Sequence, residues 1–301
     1  MSFAVQTAEN YAVGWANSTS LTLNTNNIVG TNVTTAQVGF PVLIRLTSAH
    51  RAVFQQSLVA GGGDLRFSRN GKNLPYQIER WSAISSDTSA AIWVSVDTVA
   101  ANGTTTINMY WGNGSVTSRS NGPAVFDYGK GFVGDWHLGE ATGDTAHDAT
   151  GFNFHGTPGT TFGGGGNPFD TLGVVGQAKS FRMSGGTSGA YYVMDGTAPG
   201  STNTTPSSSP LHFAASGPYT ISAWTRFTMA NTTGMIVTKG DVHYQLARRN
   251  SGAEWSFHHN PTTSSTTALG RTITSAVTGT WVHLTGVRTG PDSTLASARI
   301  Y

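Results

Sequence analysis

Residues 38–47 read VGFPVLIRLT, with an apolar side chain at every second position. Successive side chains of an extended chain point to opposite faces, so a period of two predicts a strand with one buried face. The residues expected on that face are Val38, Phe40, Val42, Ile44 and Leu46. The stretch therefore indicates a half-buried β-strand.

Other segments of the first half have the same period of two. In AAIWVSVDTV and TTTINMYWGN the alternating residues are Ile92, Val94 and Val96, then Ile107, Met109 and Trp111. Asn70-Gly71 lies between LRFSR and NLPYQIERW and predicts a tight β-hairpin. Residues 49–60, AHRAVFQQSLVA, allow one or two helical turns before three glycines end them. The first half is therefore expected to be a set of paired strands with one short helical connector.

The composition supports an all-β chain. Only 11% of the 301 residues are charged, against about 25% in an average globular domain. Serine, threonine, asparagine and glycine must therefore form much of the solvent-facing surface. These residues suit short strands and turns better than helices. A net charge of +2 without a cationic stripe argues against nucleic acid or anionic lipid as a partner.

The segment TSRSNGPAVFDYGKG is rich in turn residues and predicts a domain boundary near Phe126. At least eight further strands follow it. We expect an N-terminal extension over residues 1–14, a β-sandwich over 15–126 and a second β domain over 127–301.

The second half resembles the laminin-G-like, concanavalin A-like jelly rolls of bacterial surface proteins. The resemblance rests on GDWHLGEATGDTAHDATGFNFHG, PYTISAWTRF, GMIVTKGD and TGTWVHLTGVRTG, and it covers roughly residues 126–301. It departs at Gly139, where the family usually has aspartate, and at the long loop 196–210. The resemblance implies a jelly-roll fold for the second domain.

The first half resembles a small bacterial domain of unknown function that commonly precedes such jelly rolls. The matching stretches are FPVLIRLT, GGGDLRFSRNGKNLPYQIERW, AAIWVSV and TTTINMYWGNGSVTSRSNGPAVFD. This resemblance implies architecture and neighbours but no activity.

The segment LASARIY, residues 295–301, alternates and predicts a genuine strand. The family would continue beyond it, so the jelly roll is expected to be truncated at its C-terminus. An open sheet edge of this kind invites self-association, for which the residues before Trp15 are a candidate donated strand.

Catalysis is not expected from the sequence. Glycosidases need two carboxyl groups about 5–9.5 Å apart, and no acidic residue lies two positions from any of the glutamates, Glu9, Glu79, Glu140 and Glu254. No Gly-x-Ser-x-Gly elbow and no cysteine is present. The sequence therefore predicts a protein that is not an enzyme.

Calcium is the one cofactor that the resemblance implies, since laminin-G-like domains often hold an ion at the rim of the sandwich. Asp148, in HDATGFN, is the main candidate ligand, with Asp144 and Asp127 as further ligands. An equally weighted alternative is that Asp148 forms an Asx-turn with its own backbone.

Sugar binding needs exposed aromatic rings beside hydrogen-bonding side chains. Tyr244, Trp255, His258 and Asn260 are the predicted ligand-binding residues. By the resemblance, Trp136, Trp224 and Trp281 are expected to pack in the core.

The leading hypothesis is a non-catalytic binding or adhesion module for a glycan or cell-surface ligand. The alternatives are a structural spacer or filament subunit, and the accessory domains of a larger polysaccharide-active enzyme. We expect an extracellular or cell-surface location, although residues 1–15 contain no signal peptide. The sequence also lacks the ~18–20 apolar residues of a membrane span.

Overall fold

The computed structural model describes residues 11, 13–26, 33–140, 145–160, 168–181, 183–184, 188–194, 209–213, 217–230, 232–239, 244–249, 252–259, 269–274, 276–290 and 298–301. The chain divides into two compact units, residues 1–203 and 204–301. The boundary expected near Phe126 falls inside the first of these units. Among the described residues, no helix has the length and apolar character needed to cross a membrane.

The elements of the first unit are mostly strands. They are β1 (Asn17–Asn24), β2 (Gln37–Leu46), α1 (Arg51–Gln56), β3 (Arg66–Arg69), β4 (Lys72–Asn73), β5 (Tyr76–Ile84), β6 (Asp87–Val99), β7 (Thr104–Trp111), α2 (Gly122–Val125), β8 (Thr157–Thr160), β9 (Phe169–Leu172), β10 (Gln177–Ser180), β11 (Met183–Ser184) and β12 (Ser188–Val193). Short 3₁₀ helices span Ser48–His50, Ala60–Gly62 and Tyr128–Lys130.

Two antiparallel sheets enclose the main core of the first unit. One has the strand order β1-β7-β3-β4, and the other has the order β2-β6-β5. The predicted inward residues of β6 and β7 are confirmed as buried: Ile92, Val94, Val96, Ile107, Met109 and Trp111. Residues of α1 close the same core, with Val53 and Phe54 buried.

The opening of β2 differs from its predicted pattern. Ile44 and Leu46 are buried, but Val38 is 80% exposed and Phe40 is 50% exposed. Because β2 is an edge strand of its sheet, the side chains at its start remain open to solvent. The period of two thus predicted the strand correctly, but it wrongly predicted that the side chains at the start of the strand are buried.

The predicted hairpin and helical connector are both present. Asn70 (φ 49°) and Gly71 (φ 76°) join β3 to β4 in the left-handed region, as a type I′ turn requires. The helical turns of 49–60 form α1 and the 3₁₀ helices on either side of it.

Short sheets follow the sandwich within the first unit. Strands β9 and β10 pair, and a second sheet has the order β11-β12-β8. Lys179 on β10 is buried and forms an ion pair with Asp170 on β9 at 2.5 Å.

The second unit is also built from antiparallel strands. They are β13 (Tyr219–Thr225), β14 (Gly234–Lys239), β15 (Tyr244–Arg249), β16 (Glu254–His259), β17 (Leu269–Thr274), β18 (Val282–Arg288) and β19 (Ala298–Ile300). One sheet has the order β13-β18-β19 and the other β14-β15-β16-β17. The prediction of an all-β chain is confirmed, with about 50% strand and 9% helix.

The strand expected at the end of the chain is present as β19. It pairs with β18, burying Ala298 and exposing Arg299. Residues 291–297 lie outside the described part, and so does most of the extension over 1–14.

A buried arginine ties three loops of the second unit together. The Arg248 guanidinium donates to the backbone oxygens of Gly252 at 3.0 Å and Met229 at 2.9 Å, and to the Thr278 hydroxyl at 3.0 Å. Its guanidinium carbon also lies 5.9 Å from the centre of the Trp255 ring. The charge is therefore satisfied by fixed oxygens and by a ring face, as a buried cation requires.

Candidate functional sites

The outer face of the sheet β13-β18-β19 carries exposed aromatic side chains. Along β13, Tyr219 and Ile221 are buried while Ser222 and Trp224 are exposed. The same alternation along β18 buries Leu284 and exposes His283. Strand alternation thus turns Trp224 and His283 away from the core.

We call Ser222, Trp224, His283, Thr285 and Tyr301 the aromatic face. The register places Trp224 opposite His283 and Ser222 opposite Thr285, and Tyr301 exchanges backbone hydrogen bonds with Thr285. Trp224 is 51% exposed and Tyr301 is 62% exposed. Trp224 and Tyr301 lie on either side of β18 and two residues apart along it, so their Cα atoms are about 12 Å apart.

The geometry of the aromatic face suits a flat, partly apolar ligand. The Trp224 and His283 ring centres are 5.0 Å apart at 44°, so the imidazole flanks one side of the indole. An aromatic face is electron-rich and attracts the C–H groups of a sugar ring, and the neighbouring hydroxyls can donate and accept hydrogen bonds. The face therefore combines an apolar platform with polar groups around it.

Trp224 had been assigned to the core by the resemblance, and the structure corrects this. In YTISAWT the inward positions are Tyr219, Ile221 and Ala223, so the tryptophan falls in phase with Thr220 and Ser222. The alternation of YTISAWT in the sequence already predicts that Trp224 is on the same face as Thr220 and Ser222. Trp136 is half-buried and donates its indole N–H to the Phe154 carbonyl at 2.8 Å.

The predicted ligand-binding residues do not form one exposed surface. Tyr244 and Trp255 belong to the core of the second unit, 7% and 3% exposed. His258 is on the opposite face of β16 from Trp255, because the two are three residues apart on a strand. Asn260 lies outside the described residues.

The Tyr244 and Trp255 rings therefore offer no open face to a ligand. The Tyr244 hydroxyl donates to the Leu211 carbonyl at 3.1 Å, and Trp255 packs edge-on against Phe227 at 5.7 Å. Burial lowers the pKa of His258, and the nearby Arg249 charge lowers it further. The contacts of Tyr244 and Trp255 assign structural roles to these two side chains.

The first unit contains a cluster of ionisable side chains that the sequence did not reveal. The pairing of β5 with β6 shifts between Ile78 and Arg80, so Glu79 sits at a β-bulge, a feature that re-aims side chains. The Trp93 indole N–H donates to Glu79 Oε2 at 2.6 Å. His137 Nδ1 lies 3.6 Å from the same oxygen and 3.9 Å from Asp135 Oδ1.

The other side of the His137 ring is also held. Its Nε2 is 3.1 Å from the Gln77 amide oxygen, which favours the tautomer with the proton on Nε2. The ring stacks on Trp93 with 8° between the planes. Nδ1 then faces the two carboxyl groups.

The pKa shifts in the cluster follow from this arrangement. Burial, with a smaller effect of the negative Glu140, raises the pKa of Glu79 to about 7 despite the Trp93 hydrogen bond. Burial and the charges of Glu79 and Asp148 raise the pKa of Asp135. Burial lowers the pKa of His137 to about 4. Near neutral pH the cluster therefore holds a neutral imidazole and partly protonated carboxyls.

Paired carboxyl groups with raised pKa are also a mark of acid–base catalysis. Here the Glu79 side chain is only 6% exposed, and it is enclosed by Trp93 and His137, with Phe126 packed against both rings. These contacts account for the cluster as a buried packing element.

Asp148, the main calcium candidate, has both carboxylate oxygens occupied by protein donors. Oδ1 accepts from the N–H groups of Asp135 at 3.0 Å and Thr150 at 2.9 Å. Oδ2 accepts from the Thr150 hydroxyl at 2.8 Å and the Phe154 N–H at 3.0 Å. A carboxylate has about four acceptor sites, so a cation could bind only if this loop opened.

The other calcium candidates add no ligand set. Asp127 is exposed, and its Oδ1 accepts the Gly129 N–H at 2.5 Å as the cap of a 3₁₀ helix. Asp144 lies outside the described residues. Within the described part of the chain, no group of three or more His, Cys, Asp or Glu side chains is arranged to hold a metal ion.

Comparisons with known proteins divide the chain in two. Residues 61–139 match a domain of unknown function (DUF2341), and residues 195–301 match the concanavalin A-like lectin/glucanases superfamily. The two matches confirm the resemblances found in the sequence over these residues, with a laminin-G-like, concanavalin A-like match at the C-terminal end of the chain. No curated protein and no solved structure matches the chain.

The two matches separate the sites described above. The cluster around Glu79 and His137 lies within the first match, and the aromatic face around Trp224 lies within the second. Residues 140–194, which include Asp148, lie between the two matches.

Proposed function

We propose that this chain is a non-catalytic binding module of a bacterial cell surface, and that the aromatic face binds a glycan or glycan-bearing surface ligand. The observation that carries the proposal is the 51% exposure of Trp224 on a sheet face that also presents His283 and two hydroxyl side chains. Two exposed aromatic side chains, Trp224 and Tyr301, share this sheet face with hydroxyl groups, and aromatic residues with polar groups beside them are enriched at binding interfaces.

The superfamily match supports the same function from an independent direction. The concanavalin A-like superfamily includes lectins by its own description, and residues 195–301 match it. The module is proposed to bind without cleaving, because Glu79, one of the two carboxyl groups paired in the first unit, is buried beside aromatic rings.

Binding to a panel of plant, algal and bacterial polysaccharides tests the proposal. Trp224→Ala is expected to weaken binding by about 2 kcal/mol, or roughly 30-fold, as for an interface hot spot. The matched control is Met235→Ala, which truncates another large exposed side chain (46% exposed) on the other sheet of the same unit. Isothermal titration on the full chain measures both.

Two results would contradict the proposal. One is equal affinity of the Trp224→Ala variant and the parent chain, and the other is no binding to any polysaccharide. In the second case ordered polymers in negative-stain images of the native assembly would favour the alternative of a structural spacer or filament subunit. A catalytic domain elsewhere in the full-length reading frame would favour the alternative of accessory domains of an enzyme.

A further inference from the structure

An open cavity lies in the first unit, on the sheet β1-β7-β3-β4. It has a volume of about 490 Å³ and is lined by residues 15–20 with Tyr11, Asn108 and Tyr110. The register places Ser18 beside Tyr110 and Ser20 beside Asn108. Since their neighbours Ile107 and Met109 are buried, Asn108 and Tyr110 face away from the core. We call this cavity the β1 groove.

One wall of the β1 groove is aromatic and held in place. The half-buried Trp15 and Tyr110 rings form this wall. The buried Tyr11 ring, 6% exposed, contacts Trp15 edge-on at 5.0 Å and Tyr110 at 5.6 Å. The Trp15 indole N–H donates to the Asp64 carbonyl at 2.8 Å, and the Arg66 guanidinium carbon lies 5.4 Å from the ring centre. The rings are therefore positioned before any ligand arrives, which reduces the entropy lost on binding.

The opposite side of the groove offers hydrogen-bonding groups. The Ser20 hydroxyl donates to the Asn108 amide oxygen at 2.9 Å, which fixes the amide and leaves its two N–H donors for a ligand. Ser18 adds an exposed hydroxyl. None of the lining side chains is charged.

This lining selects a class of ligand. An ion or a phosphate would need charged partners, and a purely apolar molecule would leave the amide and hydroxyls unsatisfied. A cavity of about 490 Å³ falls in the usual size range of small-molecule sites, which combine aromatic surfaces with a few placed polar groups. Sugars without charged substituents match both halves of the lining.

We infer that the β1 groove binds an uncharged, hydroxyl-rich glycan, with a sugar ring against Trp15 and Tyr110 and its hydroxyls on Asn108 and Ser18. The inference does not depend on the aromatic face of the second unit.

The test uses the full chain carrying Trp224→Ala, so that the aromatic face does not contribute. Neutral polysaccharides are titrated against this background and against the same background with Asn108→Ala. Loss of the amide should weaken binding about threefold to tenfold. Thr106→Ala is the matched control, because Thr106 is exposed on the same face of β7 but outside the groove.

A second variant guards against a folding defect in Asn108→Ala. Ser18→Arg places a long side chain in the groove from an exposed strand position, and it should block binding while the thermal melt stays unchanged. Hydrogen exchange at residues 15–20 should slow when the glycan is added.

The outcomes separate the two sites. If Trp224→Ala alone abolishes all binding, or if Asn108→Ala binds as Thr106→Ala does, the groove proposal is wrong and the aromatic face stands. If Trp224→Ala binds fully and Ser18→Arg does not, the groove is right and the aromatic face is wrong. Protection of residues 15–20 by extended peptides but not by glycans would identify strand addition at the β1 edge and overturn the inference.

Discussion

The Trp93 indole N–H donates to Glu79 Oε2 at 2.6 Å, and the same carboxylate oxygen lies 3.6 Å from Nδ1 of His137. The strand pair β5–β6 and the later loop that carries His137 thus meet at the buried carboxyl group of Glu79. No lysine or arginine forms an ion pair with Glu79 among the ion pairs of the described residues. The charge of Glu79 is consequently unfavourable in the folded state, which makes the first unit sensitive to pH.

Glu79→Gln should remove part of this sensitivity. The folded pKa of Glu79 is about 7 against an ordinary 4.5, so the folded state keeps a proton that the unfolded state releases. The free energy of unfolding therefore falls as pH rises from about 4.5 to about 7 and stays lower above that range. The variant should be more stable than the parent at pH 8, by up to roughly 3 kcal/mol, and nearly equal at pH 4.

Denaturant unfolding at these two pH values measures the difference. Glu254→Gln, on a half-buried glutamate of the second unit, is the matched control for the substitution itself. A constant difference between Glu79→Gln and the parent at both pH values would show that folding does not raise the pKa of Glu79.

His137→Phe should change the acid side of the profile. Burial lowers the pKa of His137 from 6.5 to about 4, so stability is lost as pH falls from about 6.5 to about 4 while the unfolded chain takes up the proton. Phenylalanine keeps the stacking on Trp93 and cannot be protonated. The variant should therefore lose less stability than the parent between pH 7 and pH 4.

The His137 prediction also has a direct readout. The imidazole of the parent chain should titrate in NMR with a midpoint well below 6. A midpoint at or above 6.5 would contradict it.

Asp148→Ala should destabilise the first unit, whether or not calcium is present. The substitution leaves the N–H groups of Asp135, Thr150 and Phe154 without their acceptor, at a cost of about 2–4 kcal/mol. Asp127→Ala, which removes one exposed cap, should cost about 1 kcal/mol or less.

Thermal melts with calcium and with a chelator distinguish the two roles of Asp148. We expect the same melting temperature in both conditions. A rise with calcium that disappears in Asp148→Ala would instead establish an ion site, by stabilisation of the folded state through binding.

Trp255→Ala and Trp224→Ala should have opposite effects on folding and binding. Trp255 is 3% exposed in the core of the second unit, so its truncation should cost about 3–5 kcal/mol. Trp224→Ala should change stability by about 0.5 kcal/mol or less while weakening glycan binding. Similar melting temperatures for the two variants would contradict the assignment of Trp255 to the core.

Local patterns in the sequence predicted the strands well. The alternation of Ile92, Val94 and Val96 reflects a sheet with one covered face, and the hairpin at Asn70-Gly71 follows from backbone conformations that few residues adopt. Both depend only on neighbouring residues. Val38 and Phe40 were misassigned because alternation cannot show where the facing sheet ends.

The sites were harder to predict because they depend on distant pairings. Tyr244, Trp255 and Trp224 are all aromatic residues on strands, and only the phase of each strand against its sheet separates core from surface. Glu79 was set aside for lacking an acidic neighbour two residues away. Its carboxyl partner, Asp135, comes from a loop more than fifty residues later.

The arginine that joins three loops of the second unit has a consequence for behaviour in acid. Guanidinium groups are not deprotonated in proteins, and the acceptors of Arg248 at Gly252 and Met229 are backbone carbonyls, which do not titrate. The hydrogen bonds that join these loops thus involve no group that titrates in the usual pH range. A fall in pH that protonates the Glu79 cluster of the first unit therefore leaves the Arg248 hydrogen bonds intact. The three loops of the second unit that they join should keep their conformation.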